Sequence, residues 1–155
     1  MSPPQLKPTP EPAKLRERAL SLLARREHSR AELARKLEAA GFAREEIFQL
    51  LDAFEAKNWL SDQRFAESYV ADHRARAGSV KLAYDLRQRG VPDSVIEGVL
   101  SDNRDSELER AREVWQKKFG AAPADVPEKS RQIRFMQSRG FTPEVIRRAI
   151  GGGDE

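Results

Sequence analysis

The feature that most restricts the fold of this 155-residue chain is a segment that occurs three times. It reads AELARKLEAAGFAREEI over 31–47, KLAYDLRQRGVPDSVI over 81–96 and RQIRFMQSRGFTPEVI over 131–146. Superposed on Gly41, Gly90 and Gly140, the copies lie 49 and 50 residues apart. Four residues before each glycine stands an apolar side chain (Leu37, Leu86, Met136), and another follows it directly (Phe42, Val91, Phe141). An isoleucine falls six residues after it each time: Ile47, Ile96 and Ile146. Recurrence at this period marks a repeat protein.

The chemistry of each copy predicts two helices. Leu33/Leu37, Leu82/Leu86 and Ile133/Met136 have helical spacing, and the glycine supplies a left-handed C′ residue that closes the helix without a Cβ penalty. Pro92 and Pro143 sit where a first helical turn tolerates a missing N–H, and Thr142 can cap. The following helix carries Ile47/Leu51, Ile96/Val99/Leu100 and Ile146/Ile150. An amphipathic helix precedes each copy, with Leu20 and Leu23 in the first, Phe65 and Tyr69 in the second, and Trp115 and Phe119 in the third. Start signals are Ser29 with Glu32, Asp62, Ser79, and Ser106 with Glu109. The expected fold is all-α: three tandem three-helix repeats of homeodomain or helix-turn-helix type in an elongated array. The expected boundaries are a disordered proline-rich tail over 1–12, repeats over 13–58, 59–103 and 104–150, and a disordered tail over 151–155. A lone repeat of this size has a marginal core, so stability is expected to be shared between neighbours.

Composition narrows the function. There is no cysteine, which removes disulfides, thiolate chemistry and sulfur-ligated metals. No apolar run approaches the ~18 residues a spanning helix needs, and the first residues do not resemble a signal peptide, so a soluble cytoplasmic protein is expected. His28 and His73 lack second ligands at metal spacing and are read as solvated residues at helix ends. Asp102, Asp105 and Glu107 lack the glycine and spacing of a calcium loop and are read as capping groups. Gly151-Gly152-Gly153 follows no strand and opens no helix, so it is not a phosphate loop. No catalytic constellation is present, and neither an enzyme nor a cofactor is expected.

The net charge of +3 arises from 28 basic and 25 acidic side chains, too balanced for bulk attraction to an anion. The repeat nevertheless places cations in register. Lys81 and Arg131 stand nine before the glycine, Arg35 and Arg134 six before, Arg89 and Arg139 one before, with Arg30, Lys36 and Arg87 on the same helices. Positions nine and six before the glycine fall within about 60° of each other, roughly opposite the buried stripe. Residues 131–148 hold five basic groups against one acidic. Arginine suits bidentate contacts to phosphate or carboxylate. The competing account is a solvated face laced with pairs such as Glu32–Lys36.

At these residues the chain resembles the RecX regulatory proteins. The string 60–70, LSDQRFAESYV, is similar to a segment of that family, as are Leu82 to Val91, Trp115 to Gly120, and Arg134 to Phe141. The resemblance spans about residues 15–150; Asp85 departs from the pattern, where glutamate is expected, and the proline-rich leader is no part of it. It implies a regulator that binds the helical groove of the RecA–DNA filament and inhibits its ATPase, strand-exchange and coprotease activities; a monomer is expected. Single- or double-stranded DNA is a further implied partner, and no membrane is. The resemblance carries over no site residue, so Arg30, Arg35, Lys36, Lys81, Arg87, Arg89, Arg131, Arg134 and Arg139 are inferred from the repeat. The alternatives are a stand-alone helix-turn-helix DNA-binding protein and a purely structural helical adaptor.

Overall fold

The structure, a computed structural model, describes residues 12–152, so the proposed tails lie outside it except at Pro12, Gly151 and Gly152. Nine α-helices follow in order among these residues: α1 (Pro12–Arg25), α2 (Arg30–Ala39), α3 (Arg44–Ala56), α4 (Asp62–His73), α5 (Ser79–Gln88), α6 (Asp93–Ser101), α7 (Glu107–Lys118), α8 (Val126–Ser138) and α9 (Pro143–Ala149). Short 3-10 turns at Arg104–Ser106 and Ile150–Gly152 complete the set, and no strand occurs among the described residues. Pro12 opens α1, where its missing N–H costs nothing.

The repeat register fixes the core. Leu37, Leu86 and Met136 are fully buried, as are Ile47, Ile96 and Ile146 six residues past the glycines. Gly41, Gly90 and Gly140 all have positive φ, so the expected left-handed helix terminator is realised three times. In the first repeat, Leu15 and Ala19 of α1 pack with Leu33, Leu37, Ile47, Leu51 and Phe54. Leu20, expected in that stripe, is instead exposed: the buried face of α1 runs through Leu15, Ala19, Leu22 and Leu23. In the third, Ala111 and Trp115 of α7 pack with Met136, Phe141, Ile146 and Ala149.

Eight residues before the glycine, the register holds Leu33, Leu82 and Gln132, and all three are buried. Sequence periodicity favours Ile133 in the third repeat, but Ile133 is only partly buried and Gln132 takes the core position. The polar side chain is tolerated because it is satisfied. Its Oε1 accepts from the Trp115 indole N–H at 2.8 Å, and its Nε2 donates to the Ala121 carbonyl at 3.2 Å and to Glu128 Oε1 at 3.3 Å.

Some helix starts are capped by their own side chains and others borrow a carboxylate. Ser29 and Glu32 form the expected capping box on α2, and Thr142 accepts from the Val145 N–H with Pro143 at N1. Ser79 and Ser106, by contrast, supply no side-chain cap to α5 and α7: Ser79 lies inside α5 after an N-cap glycine, and Ser106 has helical φ/ψ. The cap on α5 comes from Glu107, the first residue of α7, whose carboxylate accepts from the Ser79 N–H at 2.9 Å. Asp62, the first residue of α4, accepts from the Arg30 N–H at 2.9 Å. Arg30 and Ser79 occupy the same register position, eleven before the glycine. The acid that opens the first helix of a following repeat thus sits on the second helix of the one before it.

The chain forms two compact bodies, one ending at Phe65 and one beginning at Ala66. The second body contains the junction of the second and third repeats. There Gly78 donates to the Arg139 carbonyl at 2.7 Å and Val80 to the Gly140 carbonyl at 2.9 Å. A Cβ on Gly140 would lie 2.2 Å from Cβ of Lys81, so only glycine permits this approach. Arg110, buried in α7, donates to the carbonyls of Arg74, Ala77 and Asn103, gathering the α4–α5 turn.

Candidate partner-binding surface

The nine cations singled out by the repeat fall into different settings. Arg30 is engaged on its own repeat: its guanidinium contacts Asp52 at 2.8 Å and Glu55 at 2.7 Å on α3 and lies over the Phe48 ring. Arg35 is exposed on α2 and bonds the Ala31 carbonyl one turn back. Lys36 donates to Nε2 of His28 at 2.9 Å. His28 is buried rather than solvated as expected, because the α1–α2 turn folds its ring inward. Its Nδ1 faces the Arg26 carbonyl at 3.1 Å, and burial pushes its pKa below the ordinary value.

In the second repeat Lys81 is exposed and 3.6 Å from Asp85, while Arg87 pairs with Asp93 at 3.0 Å. The Arg87–Asp93 pair faces solvent and contributes little, whereas Asp85 is largely covered and also accepts from the Tyr69 hydroxyl at 2.9 Å. Arg89 folds back over the Tyr69 ring, 4.6 Å from its centroid, and donates to the Asp85 carbonyl. Tyr84 is exposed. It occupies the outward register position that Arg35 and Arg134 hold in the other repeats.

The third repeat concentrates the charge. Arg131 is exposed, pairs with Glu128 at 2.9 Å and lies over the Phe119 ring. The hydrogen bond from Arg131 holds the Glu128 carboxyl below its usual range. Arg134 is exposed and lines the shallow groove around Lys118, Phe119 and Arg131. Arg139 lies over the Phe135 ring at 5.1 Å, facing Lys118, which approaches the same ring at 5.3 Å.

Arg139 also opens onto a second groove of about 220 Å³. Ala75 and Arg76 of the α4–α5 turn, Val114, Lys117 and Lys118 of α7, and Phe135 and Arg139 of α8 form it. Four cations from three elements of two repeats converge there, and none of the lining residues is acidic. Arg76, Lys117 and Lys118 escape sequence reasoning because they lie outside the repeated segment; the Trp115-Gln116-Lys117-Lys118 string is the one available signal. The junction at Gly140 also sets Lys81 against the end of α8, so Lys81 and Arg139 share one neighbourhood. Arg30, Arg35 and Lys36 belong to the other compact body.

Comparison with known proteins decides the family. Models of the first, second and third three-helix domains of RecX match residues 16–53, 61–100 and 105–150. The chain belongs to the RecX family. A regulatory protein RecX from Ralstonia nicotianae is 44% identical over 144 residues, covering 93% of this chain and 91% of that protein. The RecX of Chromobacterium violaceum is 45% identical over 139 residues, 90% of each chain. In three dimensions, a crystal structure of RecX from Lactobacillus salivarius aligns with a TM-score of 0.79 at 20% identity, over 89% of this chain and 93% of that one. That likeness carries the fold. The family is one of regulatory proteins, and no helix among the described residues is long and apolar enough to cross a membrane.

Proposed function

We propose that this RecX protein is a non-enzymatic regulator that binds the RecA–DNA nucleoprotein filament and inhibits its ATPase, strand-exchange and coprotease activities. The observation that carries the reading is the groove of Arg76, Lys117, Lys118 and Arg139 around Phe135, a site that lacks any carboxylate among its lining residues. Such a setting suits the phosphates or acidic side chains that a protein–DNA polymer displays together. The groove joins cations of two repeats, and linked contacts of this kind raise avidity for a repeating polymer.

The stand-alone helix-turn-helix reading fares worse on charge. In such proteins the third helix enters the major groove. Here α3 carries Glu45, Glu46, Asp52 and Glu55 against Arg44 alone, and α6 carries Asp93 and Glu97 with no cation. Two of the three helices would bring net negative charge to DNA.

The test is ATP turnover by RecA on single-stranded DNA with this protein added. Turnover is expected to fall with added protein, and turnover unchanged at saturation would overturn the proposal. Charge reversal of Lys118 and Arg139 together is expected to weaken inhibition at least tenfold, and to lower the salt slope of binding by about one for each phosphate left unneutralised.

A further inference from the structure

The third repeat has a second groove, on another side of α8 from the basic one. Lys129, Ile133 and Gln137, spaced four apart, line it from α8. Phe135 and Arg139, also four apart, face the basic groove. The two rows are offset by two residues, about 200° around the helix, so they occupy opposite faces.

This second groove is about 600 Å³, within the range of ordinary binding pockets. Its apolar lining comes from Ile133, Ile146 and Ile150, with Pro123 of the α7–α8 connection and Pro143 of α9 as walls. Lys129 and Arg147 stand on it, both exposed. Among the described residues no acid lines it and neither cation has an ion pair.

We infer that this groove docks an acidic peptide segment of a protein partner, an apolar side chain of the segment settling on the isoleucines while flanking carboxylates reach Lys129 and Arg147. The chemistry narrows the occupant in this way. A small polar anion would find only two long, mobile side chains and Gln137, with an apolar floor between them. Nucleic acid would find its phosphates served but its bases unsupported, because the groove has no aromatic ring for stacking. An apolar anchor between carboxylates satisfies the floor and the cations at once, and the opposite charges set its orientation. The site goes beyond the filament reading, since it uses neither the basic groove nor any of the nine register cations.

The probe is a fluorescein-labelled peptide with a central Leu-Phe pair flanked on both sides by two acidic residues, titrated into the full chain without recombinase, nucleotide or DNA. Isoleucine methyl NMR of the unmodified protein is expected to show saturable shifts at Ile133, Ile146 and Ile150. Lys129→Glu with Arg147→Glu, both exposed and so harmless to packing, is expected to weaken the anisotropy-measured affinity about tenfold. A peptide with lysines in place of the acids should not bind. Three results would each overturn the inference: silent methyls at millimolar peptide, equal binding of the lysine peptide, or a 20-nucleotide oligonucleotide moving the same methyls more strongly. Because RecA is absent, filament inhibition can fail while peptide binding succeeds, and the reverse.

Discussion

At the scale of single residues, Gly140 is under two constraints that are normally met separately. Its φ of +85° disfavours any L side chain, and its Cα position leaves no room against Lys81. Gly151 shares the first constraint, with the same φ, but a methyl added there would meet nothing within 4 Å. Gly151→Ala is therefore expected to cost at most about 1–2 kcal/mol, the left-handed penalty alone. Gly140→Ala adds overpacking against a helix backbone and is expected to cost about 3 kcal/mol or more in urea unfolding. Equal costs for the two would contradict the close approach. His28 offers a pH test. The Arg26 carbonyl takes its Nδ1–H and the Lys36 ammonium donates to Nε2, so the ring is held neutral, and burial lowers its pKa from 6.5. The hydrogen bond to the Arg26 carbonyl and the charge of Glu32 favour its protonation, while the Arg26 and Lys36 charges oppose it, and burial outweighs the rest. The unfolded chain therefore binds the proton first as pH falls. The stability contribution is complete above about pH 6.5 and is lost as pH drops through that value toward the folded pKa. Thermal unfolding between pH 5 and 8 should show this slope in the wild type and lose it in His28→Gln.

At the scale of the element, α8 shows what a sequence does and does not disclose. Its terminator, its Met136 knob and the Phe141 that follows were all legible, because a backbone rule and a spacing rule agree there. Its core residue at the Leu33 and Leu82 position was not. Periodicity counts apolar residues, and Gln132 is polar; its hydrogen bonds with Trp115, Ala121 and Glu128 make it a core residue. Leu20 misleads for the converse reason, being apolar yet exposed on a helix whose inner face is served by Ala19. Gln132→Leu restores the register of the other repeats but strands the indole N–H and the Ala121 carbonyl. It is expected to destabilise by about 1–3 kcal/mol, whereas adding Trp115→Phe should recover part of the loss. A stabilised single variant would show that the hydrogen bonds matter less than the register.

At the scale of the whole molecule, the repeats were readable because each carries the same punctuation, which gives six of the nine helices among the described residues, while amphipathic spacing gives the helix that precedes each copy. The basic groove was only half readable. Arg139 lies in the repeated segment, but Arg76, Lys117 and Lys118 reach it from a turn and a neighbouring helix, through contacts between repeats that no local pattern encodes. Borrowed caps belong to the same class. Glu107→Ala removes the carboxylate from the Ser79 N–H and is expected to cost about 1 kcal/mol. Amide exchange should locate the loss in the first turn of α5, some 28 residues upstream of the substitution, with α8 unaffected. Protection lost only within α7 would refute the loan.

Those loans run in one direction along the chain. Ser79 waits for Glu107, whereas α2 has its own Ser29–Glu32 box besides Asp62, and α8 holds its own Asp125 at the N-cap, accepting from Glu128. On a ribosome the second helix of the middle module would emerge before the residue that completes it, and would firm up only as its successor is translated. Assembly is thereby timed to the direction of synthesis, with the dependence ending at the module that brings its own aspartate.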